Sequence, residues 1–258
     1  MRRTLRIAWK TECLKRSKND HLDHKPNMPK FYSDQIYAPG HPDGEWLRLR
    51  MGKVTASDVK RLLTNKGALR DSEGVETYVY EALAEVWRGV PNPSFGSKAT
   101  DNGKLWEDRA RAAVMLECEI EPEQMPNCFF VETDDGLAGC SPDGIINTDW
   151  QGLGFGGMEL KCPGPVKQVE YLLECGPDEI PEAYFLQCQH SMYVSGRQWW
   201  LFASVSFGAD AEGARDLPMF LRFVRRDEKI CAAIGKAVAA FHEKFTAGME
   251  KLKKYESQ

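Results

Sequence analysis

Asp143, Glu159 and Lys161 stand in the pattern Asp-x15-Glu-x-Lys, split between the segments SPDG (141–144) and MELKCPG (158–164). The second segment is a short apolar run bounded by glycine and proline, the signature of a strand. Side chains two apart in a strand project to one face. Met158 and Leu160 therefore point one way, while a carboxylate and an ammonium share the other side. A third acid, Glu107, lies on the helical segment GKLWEDRARAAV (103–114), with Gly103 one turn earlier allowing close backbone approach. If the hairpin brings Asp143 beside Glu159 and the helix lays Glu107 over them, three carboxylates converge. At ~5 Å and an effective dielectric of ~20, each pair repels by about 3 kcal/mol, more than one lysine offsets. A divalent oxygen-seeking cation offsets it, and Mg²⁺ suits a few carboxylates completed by water and substrate phosphates. Such a site activates a water and stabilises in-line displacement at phosphorus. Two roles are open to Lys161: a base whose pKa is lowered by burial and metal, or a fixed cation that orients the water.

Taken alone, a Glu/Lys pair two apart is an ordinary surface pair, and an Asp in a turn is an ordinary turn residue. The spacing, with the acid in a strand-connecting turn and the pair in an apolar strand, is what singles them out. Other patterns carry less. GLGFGG (152–157) imitates a dinucleotide-binding glycine motif, but a strand follows it where that mechanism needs a helix, so it reads as a hairpin loop. HLDH (21–24) has no second ligand pair at metal-binding spacing and fits a solvated arm. His190, beside Gln189, fits a structural role better than a DNA contact. Trp199 and Trp200 fall on opposite strand faces, so one is expected in the core and the other free to stack on a base or a subunit. The eight cysteines form no C-x-x-C pair and fit neither a zinc ribbon, an iron–sulfur cluster nor a disulfide scaffold; reduced thiols in a cytoplasm are the natural reading.

The elements that must position these groups follow from periodicity. A helix is expected over Asp58–Leu63 with Ser57 as its N-cap, and another over Glu76–Arg88 with Tyr80, Leu83, Ala84 and Trp87 on its apolar face. A third covers Thr100–Cys118, with Leu105, Trp106, Ala110, Ala113 and Val114 inward. CFFVETDDGLAGCSPDGIIN alternates short β-prone runs with turn signals, and MELKCP adds a strand. PEAYFLQCQHSMYVSG is a helix, QWWLFASVSF and MFLRFVRR are strands, and Asp227 to about Tyr255 is a long closing helix with Ile230, Ile234, Val238 and Phe241 inward. The whole reads as one α+β domain with a central mixed sheet. No run of 18 apolar residues is present, which excludes a membrane-spanning helix, and no secretory signal opens the chain. Net charge is −4, yet residues 1–30 hold nine Lys/Arg against three Asp/Glu, leaving −10 on the remainder. A basic lead-in on an acidic body fits phosphate contact and a solvated tail equally.

SPDG…MELKCPG resembles the PD-(D/E)xK nuclease motif in the form used by the phage lambda exonuclease family of alkaline exonucleases, the YqaJ-like viral recombinases. EWLRLRMGKVTASDV resembles that family's N-terminal motif, GKLWE its helix-glutamate motif, and AYFLQCQHSMYVSGRQWWLF its Tyr-x-x-Gln-x-Gln motif. The four segments run in the family's order from Glu45 to about Phe207. The resemblance implies a restriction-endonuclease-like core over 45–258, preceded by a lead-in, 1–44, that matches no family feature. It implies Glu107, Asp143, Glu159 and the Leu160 carbonyl as ligands for one or two Mg²⁺ (Mn²⁺ substituting), with Lys161 as the catalytic lysine. Arg50, Ser57 and Gln187, with Ser141 as a further candidate, would bind a terminal 5′-phosphate, and Tyr184 would support that pocket or pack. The implied activity is a 5′→3′ exonuclease on duplex DNA that releases mononucleotides and leaves a 3′ strand for annealing. A ring-shaped homotrimer, a single-strand annealing partner and a phage or prophage origin in a bacterial cytoplasm are implied as well. The alternatives are an endonuclease of the same fold and a non-catalytic DNA-binding scaffold; the latter is expected to lack one of the four site residues, and all four are present.

Overall fold

The structure, a computed structural model, describes residues 42–92, 98–120, 129–147, 149, 152–208 and 214–257, with side chains of 42–45 and 98–105 set aside. The lead-in through 41 with its HLDH pattern, Cys13, Cys128, the surroundings of Gly103 and the Leu105 side chain lie outside what is described. In chain order come α1 (Pro42–Arg50), β1 (Val54–Thr55), a 3₁₀ turn (Val59–Arg61), α2 (Glu73–Arg88) and α3 (Lys98–Cys118). Four strands follow: β2 (Val131–Glu132), β3 (Ala138–Cys140), β4 (Gly144–Ile146) and β5 (Gly156–Lys161). The chain closes with α4 (Pro165–Glu174), α5 (Glu182–Ser195), β6 (Trp199–Ser204), β7 (Phe220–Arg225) and α6 (Glu228–Glu256).

The mixed sheet expected from the sequence has the order β4-β5-β6-β7, with β5 and β6 parallel and the outer pairings antiparallel. A second, smaller sheet has the order β1-β3-β2, and its Val54, Val131, Ala138 and Cys140 share a core with Trp200 and Phe202 of β6. β5 is covered on both faces, so that every residue from Gly156 to Leu160 is buried, Glu159 included. Met158 and Leu160 join Ala110 and Val114 of α3 with Ile146, Trp199 and Leu201 in one core layer. On the other side, Trp200 and Phe202 pack with Leu186, Cys188 and Met192 of α5 and with Ile230, Ile234, Val238 and Phe241 of α6. Each such side chain contributes roughly 1.5–3 kcal/mol through burial. The α6 stripe is as expected, and Asp227 caps the helix by accepting the Lys229 and Ile230 N–H groups at 2.9 and 3.2 Å. Among the described residues no helix is long and apolar enough to cross a membrane.

Three local expectations are corrected. Residues 59–61 close only a 3₁₀ turn, and Ser57 caps no helix; its hydroxyl is engaged by neighbouring side chains. α2 starts at Glu73 and buries Val75, Tyr78, Val79, Ala82 and Leu83, leaving Tyr80 at 64% exposure and Trp87 at 38%. Two apolar registers coexist on that helix, and packing against α6 selects the one with smaller side chains. Trp199 and Trp200 are both buried, one in each core layer. His190 is likewise buried, and desolvation pushes its pKa down to about 3, so it stays neutral inside the fold.

The tryptophans explain the glycine run. Gly156 and Gly157 lie in register with Trp199 and Trp200 across the parallel β5–β6 ladder. A Cβ on either glycine would fall 2.2–2.3 Å from the facing indole. The rings occupy the space that a side chain on β5 would need. Gly157→Ala is therefore expected to cost about 3 kcal/mol in urea unfolding, as overpacking does. A Trp200→Leu change in the same chain should recover part of that loss, and an unchanged midpoint in the single variant would contradict the packing argument.

Candidate active site

Asp143 sits in the turn between β3 and β4, and main-chain groups hold it against β5. Its N–H donates to the Met158 carbonyl at 3.1 Å, and its Oδ2 accepts the Leu160 N–H at 2.6 Å. The acid is thereby fixed one residue from Glu159. Glu159 is 2% exposed, and its Oε1 accepts from the Lys161 ammonium and from Gln187 Nε2 of α5 at 2.6 Å. Glu107 reaches the same region from α3. Arg111, one helical turn further on, donates through Nη2 to Glu107 Oε1 at 2.6 Å and through Nη1 to the Asp143 carbonyl. One guanidinium so links the helix acid to the turn.

The three acids disturb one another. Burial pushes the Glu159 carboxyl up to about 7; Lys161 opposes the shift, while Asp143 and Glu107 reinforce it. Burial also raises Asp143, against the pull of Lys161, the Leu160 N–H and Arg111. Glu107 is raised by burial and by the Asp143 charge. Burial alone would lower Lys161, but Glu159 and Asp143 more than reverse it, so the ammonium is held. Each acid spends one oxygen in the bonds above and leaves its second without a hydrogen bond among the described residues. Hard oxygen donors in a mutually repelling set, with Glu159 buried at its centre and the other two part-exposed, fit a Mg²⁺-type ion. They do not already close on one point, since no three His, Cys, Asp or Glu side chains among the described residues surround a common centre. Arg111 and Lys161 supply the balancing charge in this arrangement.

A second cluster adjoins the first. Arg50 Nη2 donates to Ser57 Oγ at 3.2 Å and Thr55 Oγ1 at 3.4 Å, and its guanidinium lies 4.3 Å from the centre of the Trp46 ring. Trp46 Nε1 donates to Ser141 Oγ at 2.7 Å, so Arg50, Ser57 and Ser141 are brought together, with Ser141 two residues before Asp143. Gln187, by contrast, contacts Glu159. Tyr184, one turn before it, packs beside the acids and touches none of Arg50, Ser57 and Ser141 in the contacts of the described residues: its ring stacks on Phe202 at 5.2 Å, the Lys161 ammonium lies 5.3 Å from the ring centre, and its hydroxyl accepts from Tyr171 at 3.3 Å. Trp46, Thr55, Asp58 and Arg111 went unnoticed in the sequence. The i,i+4 spacings Trp46–Arg50 and Glu107–Arg111 were the available signals.

The YqaJ-like viral recombinase domain model matches residues 45–198, more than half of the chain and the span that holds Arg50, Ser57, Glu107, Asp143, Glu159, Lys161 and Gln187. The chain belongs to this family. As a member of it, the chain is similar in structure to the alkaline exonuclease LHK-Exo of Laribacter hongkongensis, at 27% identity and a TM-score of 0.66, over 83% of this chain and 97% of that one. LHK-Exo in complex with dAMP gives 28% identity and a TM-score of 0.65 over the same shares. A phage-related exonuclease from Haemophilus somnus 129PT shares the fold at 14% identity, with a TM-score of 0.58 over 80% of this chain and 99% of that one. Comparison with curated proteins finds no match. The family and its exonuclease neighbours make this YqaJ-like chain a nuclease with a mixed-sheet nuclease fold.

The site has a pH signature. A carboxyl whose pKa rises on folding binds its proton more tightly in the folded state, so stability falls as pH increases from about 4.5 through about 7. With chelator present, the wild-type chain is expected to lose up to about 3 kcal/mol across that window. Glu159→Gln, which keeps only the Glu107 and Asp143 contributions, should lose less. Unfolding curves at a series of pH values compare the two, and parallel slopes would contradict the burial argument.

Proposed function

We propose that this family member is a Mg²⁺-dependent 5′→3′ exonuclease on double-stranded DNA, releasing mononucleotides and leaving a 3′ single strand for recombination by annealing. The observation that carries the reading is Asp143, tied to the Leu160 N–H beside the ion pair of buried Glu159 with Lys161. In this reading Glu107, Asp143, Glu159 and the Leu160 carbonyl hold one or two Mg²⁺, with Mn²⁺ able to substitute. The bound ion supplies an activated water and charge stabilisation at phosphorus. Lys161, in contact with Glu159 and over the Tyr184 ring, suits the role of a fixed cation that orients the water and balances charge in the transition state. Arg111 keeps Glu107 directed at the Asp143 turn.

Arg50, Ser57 and Ser141 would receive the terminal 5′-phosphate, the guanidinium matching its oxygens as a planar fork. Gln187 would join them from α5 while steadying Glu159. A pocket built on an anion-binding arginine selects a strand end and no particular base, which favours an exonuclease over a sequence-reading endonuclease. The LHK-Exo complex with dAMP supports mononucleotide release, because dAMP has the chemistry of such a product. A homotrimeric ring around the duplex, a single-strand annealing partner and action in a bacterial cytoplasm from a phage or prophage gene complete the proposal.

The test is linear duplex carrying 5′-phosphate or 5′-hydroxyl ends, with Mg²⁺ or with chelator. The phosphorylated end is expected to be degraded at least about tenfold faster, consistent with a charge-assisted contact. Chelator should abolish degradation, closed circular duplex should survive, and Arg50→Ala should erase the preference between ends. Cutting of circular duplex, or digestion in chelator, would contradict the proposal.

A further inference from the structure

An acid stands inside the pocket assigned to the terminal phosphate. Asp58 Oδ2 accepts from Thr55 Oγ1 at 2.7 Å and from Ser57 Oγ at 3.2 Å, and the two hydroxyl oxygens are 3.1 Å apart. Arg50 Nη2 touches the same two oxygens from the other side. Arginine has donors only, so the hydroxyls turn their lone pairs toward Arg50 and their protons toward Asp58. The other guanidinium nearby, Arg61, is engaged by Glu81 at 2.5 Å and lies over the Tyr78 ring. A phosphate monoester near neutral pH carries almost two negative charges and offers only acceptors. To bind it, Ser57, which is exposed, must take its proton away from Asp58. Thr55, at 4% exposure, stays committed to the carboxylate. The arriving anion therefore competes for a hydroxyl proton and meets a like charge.

We propose that Asp58 sets the strength with which the terminal phosphate is held, keeping the grip weak enough for the end to be released. The inference rests on the exonuclease reading and on Arg50 and Ser57 as phosphate ligands. Every hydrolysis by a 5′→3′ exonuclease creates a new phosphorylated end and a free nucleoside monophosphate, so the pocket must empty and refill at each step. Binding that is equally strong before and during reaction lowers KM without raising kcat, and slow release then limits turnover. Asp58 opposes that outcome, while Arg50 retains selectivity for a charged end.

Asp58→Asn tests this, because the amide oxygen still accepts from Thr55 while the charge is gone. The probes are dAMP, inorganic phosphate and deoxyadenosine as inhibitors of digestion of 5′-phosphorylated duplex. Removing one like charge is expected to tighten inhibition by dAMP and phosphate by about tenfold, leave deoxyadenosine unchanged, and lower both KM and kcat. Asp58→Ala, which also removes the charge, should tighten dAMP inhibition in the same direction. Unchanged or weaker dAMP inhibition in both variants, with the wild-type preference for phosphorylated ends intact, would overturn the role of Asp58 alone. A wild-type chain indifferent to 5′-phosphorylation would overturn the pocket reading and this inference together.

Discussion

A carboxylate held by a main-chain N–H anchors the site. The bond from Leu160 to Asp143 Oδ2 joins a turn to a strand that is covered on both faces, and strand alternation then places Glu159 and Lys161 on the side facing α5. A buried carboxylate is costly unless it is paired, and the Lys161 ammonium with the Gln187 amide supplies the pairing. The raised pKa values of Glu107, Asp143 and Glu159 express the cost that remains, and such residual frustration is typical of sites built for chemistry. The fold holds the strand still enough to sustain it. Glycines 156 and 157 accept the two indoles of β6, so the parallel pair at the centre of the sheet is closely fitted just before the charges begin.

The two clusters share a frame. Ser141 accepts from Trp46, which also lies against Arg50, while two residues further on Asp143 grips β5. A shift of that turn would move a proposed phosphate contact and a proposed metal ligand together. α5 adds a second link, since Tyr184 touches Lys161 and Gln187 touches Glu159 from successive turns of one helix. In the exonuclease reading this common frame fixes the distance between strand end and scissile bond, which is what removal of one nucleotide at a time requires.

Much of this arrangement was legible along the chain because it depends on local rules. The i,i+2 relation of Glu159 and Lys161, the apolar face of Met158 and Leu160 and the stripe of α6 follow from strand and helix periods. Turn chemistry and spacing posed the approach of the Asp143 turn to β5 as a condition, which the bond from Leu160 meets. What escaped was decided by contacts between distant segments. The face of α2 was misjudged because Tyr80 and Trp87 are apolar in sequence yet lie away from α6. Ser57 resembled a helix cap, but Arg50, Thr55 and Asp58 claim its hydroxyl in a turn too short to be capped. Both tryptophans of β6 found glycines to cover, a fit that period-two alternation alone does not reveal. Trp46 meets Ser141 across 95 positions of sequence, beyond the reach of any local pattern.

The central claim is that Asp143, Glu159 and Glu107 together form a site for a divalent cation. Calorimetric titration of Mn²⁺ into the wild-type chain and into Asp143→Asn tests it without reference to any substrate. The account predicts saturable binding by the wild type that weakens at least about tenfold when one charged ligand is lost. Equal affinity in the two proteins, with both folded, would contradict it.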